Sequence, residues 1–217
     1  MIKENKKKLI ITSIVILLPM IVGVFLWNVL PDKIPTHWDA SGQVDGWSSK
    51  AFAVFGLPAV LFVVHWVCVL ATSADPKKKN IEGKVFNIVF WICPVISVLV
   101  AVLNYGTALG VSFPTDKIML TLVGVVFIVI GNYLPKCKQS YTVGIKLPWT
   151  LHDEKNWNLT HRMAGKLWVA SGFMMLLCML LPAKVMSALV VAVLFLAVIA
   201  PAVYSYRLYR KKGNGGE

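Results

Sequence analysis

Six stretches of this chain are long, apolar and free of Asp, Glu, Lys and Arg: Leu9 to Val29, Ala51 to Ala71, Val85 to Leu103, Ile118 to Leu134, Leu167 to Leu181 and Val185 to Tyr206. Runs of about 20 such residues match the hydrocarbon thickness of a bilayer when helical, and a helix satisfies all of its own backbone groups there. Only Pro182-Ala183-Lys184 separates the last two. As one helix they would reach about 60 Å, twice the hydrocarbon core. A lysine at mid-membrane also costs about 2.5–3.5 kcal/mol on insertion scales, so this tripeptide predicts a turn in water. The expected fold is all-α, a polytopic integral membrane protein with six transmembrane helices. At 217 residues and 57% hydrophobic, the chain has no room for a separate soluble domain.

Charge then orients the spans. Lys and Arg number 22 against 10 Asp and Glu, a formal +12. In a soluble chain that excess would suggest nucleic acid. Six spans place both termini on one side, together with the second loop, the loop from Pro135 to Lys166 and the tail. Eighteen of the basic residues fall on that side, and only Lys33, Lys50, Lys117 and Lys184 on the other. The positive-inside rule makes the crowded side cytoplasmic, N-in and C-in. Anionic head groups account for the remaining attraction, so membrane lipids are expected as partners and direct nucleic acid contact is not. Leu9 to Val29 is too long for the apolar region of a cleaved signal peptide and reads as a retained anchor.

Two connections exceed simple turns. Leu30 to Lys50, on the outside, holds Pro31, Pro35, Gly42 and Gly46 with Trp38 and Trp47, and is expected to be a turn-rich segment resting on the membrane surface. Pro135 to Lys166 is cytoplasmic. Its first half, through Pro148, reads as irregular. From about Asp153, where two acidic residues suit the start of a helix, it reads as an amphipathic helix with Trp157, Ala164 and Trp168 on one stripe, running on into the fifth span.

Chemistry at membrane depth is sparse. His65 is the titratable group inside a span, and a neutral imidazole bonded to a neighbouring helix explains it better than a proton relay, which needs a chain of partners. Gly124 and Gly131 read as close-packing positions. In the cytoplasmic loop His152 and His161 lie nine residues apart, about half a turn out of phase on a helix. Glu154 and His161 share a face but sit about 10 Å apart along the axis. Neither pair suits one metal ion, so His152, Asp153, Glu154, His161 and Arg162 are expected to form a solvated or head-group-facing surface. Outside, His37, Asp39 and Asp45 lack a recognisable ligand spacing and read as a polar turn. Cys68, Cys93, Cys137 and Cys178 show neither Cys-x-x-Cys nor Cys/His spacing. No metal, cofactor or catalytic residue is expected.

Two motifs carry a resemblance. Gly131-Asn132-Tyr133-Leu134-Pro135-Lys136 leads through Tyr141, Gly144 and Lys146 into Pro148-Trp149-Thr150-Leu151, then Trp157, Thr160-His161-Arg162, Gly165 and Gly172. This resembles the core signature of the SdpI family, membrane immunity proteins against the sporulation-delaying killing peptide of Bacillus relatives. The earlier part resembles the small domain often found at the start of such proteins, through Leu30-Pro31, Ile34-Pro35, His37-Trp38, Gly42, Asp45 and Lys50. The chain carries Lys146 and Leu147 where family members usually carry Arg and often Thr, which keeps the charge but loses the planar fork.

The resemblance implies a multi-pass protein of the bacterial cell membrane that protects its host from a secreted killing peptide and draws a small cytoplasmic repressor to the membrane. It divides the chain into residues 1–50, a first span and outer loop continuing into the second helix to about 71, and residues 72–217, a four-helix membrane core with the cytoplasmic motif. Expected contacts are Pro35, His37, Trp38, Asp39, Asp45 and Trp47 for the peptide. Gly144, Lys146, Pro148, Trp149, Thr150, Trp157, His161 and Arg162 are expected to meet a partner or head groups. Two rivals stand beside this reading, a small transporter and a lipid-modifying membrane enzyme.

Overall fold

The computed structural model describes residues 2–81 and 83–213. It is mostly helical: α1 Lys6–Phe25, α2 Leu57–Ala74, α3 Lys84–Ala108, α4 Thr115–Tyr133, α5 Pro148–His152, α6 Glu154–Cys178 and α7 Ala183–Gly213. Five helical segments are long and apolar enough to cross a membrane, Lys6–Phe25, Phe52–Ala74, Lys84–Ala108, Thr115–Lys136 and Val185–Lys212. The fifth apolar run, from Leu167, is the second part of α6, whose first part carries Glu154, Lys155, Arg162 and Lys166. The amphipathic helix and that run are therefore one continuous helix. The turn expected around Pro182 separates α6 from α7.

The chain forms two compact units, Met1–Ala74 with Gly83–Asp116, and Asp75–Glu82 with Lys117–Glu217. In the first, α1 packs on α2 and α3 around Leu9, Val69, Phe86 and Phe90 at one end, and around Leu30, Ile34, Ala53, Val54 and Tyr105 at the other. Pro19 lies inside α1 and removes a backbone donor. Two hydroxyls of α3 donate to carbonyls in that stretch, Ser97 to Ile16 at 2.8 Å and Tyr105 to Pro19 at 3.1 Å. Neighbouring side chains of this kind make proline tolerable in a membrane helix. His65 is fully buried with Nε2 3.0 Å from Thr12 Oγ1 of α1, the interhelical bond its sequence context suggested.

The connection from Leu30 to Lys50 departs from expectation. It is an antiparallel hairpin, β1 Lys33–Trp38 against β2 Val44–Ser49, with bulges around His37. Ile34 is completely buried in the cluster with Leu30 and Tyr105, so the hairpin is folded onto its unit. Pairing satisfies backbone groups that an irregular segment would leave to water or lipid head groups. The bulges and Pro35 broke the period-2 pattern from which a strand is read.

In the second unit, α4, α6 and α7 share a core of Leu120, Met175, Cys178, Met186 and Val193. Gly124 and Gly131 of α4 meet Gly172 and Gly165 of α6. A Cβ on Gly131 would stand 2.9 Å from the Gly165 carbonyl, and one on Gly124 3.1 Å from that of Gly172. These are close-packing positions, as their spacing suggested.

Candidate functional site

The segment from Cys137 to Leu147, which follows a 3-10 turn at Leu134–Lys136, forms neither helix nor strand, yet it is held as firmly as a core element. Three groups hold it. Asp75, 3% exposed and just beyond α2, accepts from the backbone N–H of Tyr141 and Thr142 at 2.9 Å each and from the Thr142 hydroxyl at 2.8 Å. Its other oxygen takes the Lys77 N–H at 2.7 Å. Burial pushes the carboxyl pKa up, but the bonds from the Thr142 hydroxyl and the three backbone donors outweigh it and hold the group below the usual carboxylate value.

Gln139 is the second. Its amide nitrogen donates to the carbonyls of Thr150 and Leu151 at 2.8 and 2.9 Å, and its side-chain oxygen accepts from the Lys77 ammonium. Thr150, with no exposure, is the third: Oγ1 accepts the Leu147 N–H at 2.9 Å and lies 2.9 Å from the carbonyls of Ile145 and Leu147. Pro148 at the first position and this hydroxyl at the start turn Pro148-Trp149-Thr150-Leu151-His152 into α5, a short helix ahead of the one expected from about Asp153.

His161 of α6 closes the arrangement and corrects an expectation. It is 1% exposed, not part of a solvated face. Nδ1 lies 2.8 Å from the Trp157 carbonyl, and Nε2 accepts the Ile145 N–H at 2.9 Å. Those bonds define the neutral tautomer with its proton on Nδ1. Burial lowers the pKa below 6.5, offset in part by the bond to Trp157. Trp157 stacks on the ring at 4.0 Å and donates from Nε1 to the Cys137 carbonyl at 2.8 Å. Gly144 crosses this pair with φ +120°, where a Cβ would approach His161 Nε2 and the Trp157 ring to 2.7 Å. Only glycine fits that crossing.

Trp149 ties the loop to α7. Nε1 donates to Ser205 Oγ at 2.8 Å, and the ring packs against Tyr206 and Tyr209 at 5.4 and 5.9 Å. Ser205 in turn bonds Asn156, whose amide donates to the Ser205 carbonyl at 2.9 Å. Asp153 caps α6 and pairs with Lys212 at 3.0 Å, a contact that, with its backbone bonds, keeps its carboxyl below the ordinary range against the opposing effect of burial. Thus Gly144, Thr150, Trp157 and His161 form one buried lock and Trp149 a second. Lys146, Pro148 and Arg162 remain on the surface. The sequence reading missed Asp75, Gln139, Asn156 and Ser205. Asp75, followed by Pro76 and three lysines, carried a signal as an acid beside a basic turn, whereas Gln139 carried none.

The hairpin places its residues differently. Trp47 is 56% exposed, Trp38 half-buried, and His37 exposed with Nδ1 2.5 Å from Asp45 Oδ1. Pro35 is buried, so it is not a contact residue. Asp39 is engaged in its own turn: Oδ1 accepts from the Ser41 hydroxyl at 2.7 Å and from the N–H groups of Gln43 and Ser41 at 2.9 and 2.8 Å. The Ser41 hydroxyl, then the Gln43 N–H, hold its pKa below 3.8. No group of three His, Cys, Asp or Glu side chains suited to one metal ion occurs among the described residues. Beside the hairpin's packing cluster runs an apolar groove of about 270 Å³ along α1 and α3, lined by Leu18, Pro19, Val22, Val98, Tyr105 and Leu109.

Long apolar helices joined by an ordered hairpin and a locked connecting loop define a multi-pass membrane protein. Residues 136–205 match the family model described as the SdpI/YfhL protein family, and residues 14–62 match a domain of unknown function (DUF1648). The chain is 26% identical over 208 residues to the immunity protein SdpI of Bacillus subtilis (strain 168), covering 94% of this chain and 97% of that protein. Residues 136–205 thus carry the SdpI/YfhL match, and the chain is a multi-pass protein of a bacterial membrane. No solved structure matches it.

Proposed function

We propose that this protein is a membrane immunity protein that protects the bacterial cell carrying it from a secreted killing peptide, which it meets through the outer hairpin. The observation that carries the reading is near-full-length similarity to an immunity protein, spanning both the hairpin-bearing and the loop-bearing regions. Trp47, Trp38 and the His37–Asp45 pair supply the exposed amphipathic and charged surface for that contact, next to the apolar groove. The cytoplasmic loop transmits occupancy to a repressor through Lys146 and Arg162, the charged members of its motif left on the surface.

Six crossings with both termini in the cytoplasm fit this role. Besides the distribution of basic residues, the Lys212–Asp153 pair and the packing of Trp149 on Tyr206 and Tyr209 support it. They hold the end of α7 beside the start of α6. If α7 crosses the membrane, α6 must cross as well to bring both to one side. Single cysteines at Lys146 and Asp45, in a chain whose own four cysteines are replaced, report this with an impermeant thiol reagent: in intact cells Asp45→Cys labels and Lys146→Cys does not. The reverse pattern overturns the topology.

Function is tested by expressing the chain in a peptide-sensitive bacterium. Survival with peptide retained at the membrane supports the reading. Survival with peptide exported favours a transporter, survival with altered lipids favours a membrane enzyme, and death at normal protein levels contradicts immunity.

A further inference from the structure

A cleft of about 360 Å³ in the second unit is lined by Pro76, Lys77, Lys78, Lys79, Asn80, Gln139 and Glu154. Its floor is rigid. Asn80 donates to the Gln139 carbonyl at 2.8 Å, Lys77 is tied to the Gln139 side chain and lies 5.5 Å from the Tyr141 ring centroid, and Gln139 itself is anchored on Thr150 and Leu151. Lys78 and Lys79 stand differently. Both are exposed, and neither ammonium has a hydrogen-bond or ion-pair partner among the described residues. The one carboxylate among the described lining residues, Glu154, forms no ion pair with them within 4.0 Å.

Depth along the chain gives this cleft its chemistry. The lysines follow the span ending at Ala74 by three to five residues and precede the next, beginning at Lys84, by five or more. That is where hydrocarbon gives way to head groups, whose phosphates attract each nearby ammonium. We propose that the cleft is a binding site for the phosphate of an anionic phospholipid, held by Lys78 and Lys79 against the wall fixed by Gln139, with Glu154 limiting the affinity. Scattered surface lysines attract lipid wherever they lie; a formed cleft retains one lipid in one place.

The test is retention of added phosphatidylglycerol or phosphatidylcholine by the full-length protein in detergent, read by native mass spectrometry. The proposal expects one phosphatidylglycerol retained in preference to phosphatidylcholine. Lys78→Ala with Lys79→Ala weakens retention about thirtyfold, at two ammonium contacts. Glu154→Gln strengthens it, an opposite shift that general damage to the fold does not produce. Arg210→Ala with Lys211→Ala removes equal charge from the tail and leaves retention unchanged. Equal loss in both double variants means diffuse attraction and overturns the site, as does no loss in the first. Full displacement by millimolar inorganic phosphate identifies a soluble-anion site and overturns the assignment to lipid.

Discussion

The hairpin and the loop from Pro135 to Lys166 are about equally polar in sequence, and the structure uses them in opposite ways. In the loop, nearly every distinctive side chain is spent inside the protein, Gln139 and Thr150 on carbonyls and His161 on Ile145 and Trp157, while Asp75 holds the Tyr141 and Thr142 N–H groups and the Thr142 hydroxyl from outside it. In the hairpin, the fold is secured by Ile34 and by the Asp39 turn, while Trp47 and the His37–Asp45 pair stay in the open. A motif rich in Trp, His and Gly can therefore be architecture, and a plainer one can hold the surface available for contact. Substitutions in the loop are expected to act through stability and those in the hairpin through recognition.

The strongest way to break this comparison is Asp75→Ala. It leaves the part-buried N–H groups of Tyr141 and Thr142 without their acceptor, at a cost of about 2–3 kcal/mol. Protein abundance and the melting temperature in detergent should both fall. Unchanged values would mean that the loop is not held as described.

Next comes pH. The unfolded chain takes up the His161 proton near 6.5 and the folded chain only at lower pH. Between those values the unfolded state binds more protons, so stability is complete above about 6.5 and declines as pH falls below it. Melting curves from pH 8 to about 5 should show the decline, and His161→Gln, which keeps an acceptor for Ile145 but does not titrate, should flatten it. Trp149→Phe is milder. It removes the bond to Ser205 and keeps a ring for Tyr206 and Tyr209, so about 1 kcal/mol of stability is lost. Trp47→Ala has the smallest structural effect, within about 0.5 kcal/mol for an exposed side chain.

Much of the fold was legible in the chain because the bilayer restricts spanning structure to a few solutions. The places of the long helices, the turn near Pro182 and the glycine contacts of α4 followed from apolar length, proline and small residues. The hairpin was not legible, since Pro35 and two bulges interrupt its alternation. His161 was misplaced because its helical face could be computed but its partner could not: Ile145 approaches from a loop whose course depends on Gly144 and on Asp75, 66 residues before Tyr141 in sequence. Motif residues carry the family resemblance, but only their bonds show which are occupied by the fold.

The central claim, that the hairpin recognises while the loop supports, is tested most directly by survival of peptide-challenged cells carrying Trp38→Ala with Trp47→Ala, with membrane protein measured in the same cultures. The account predicts that protection is lost while protein level matches the unaltered chain. Full protection at that level would contradict it.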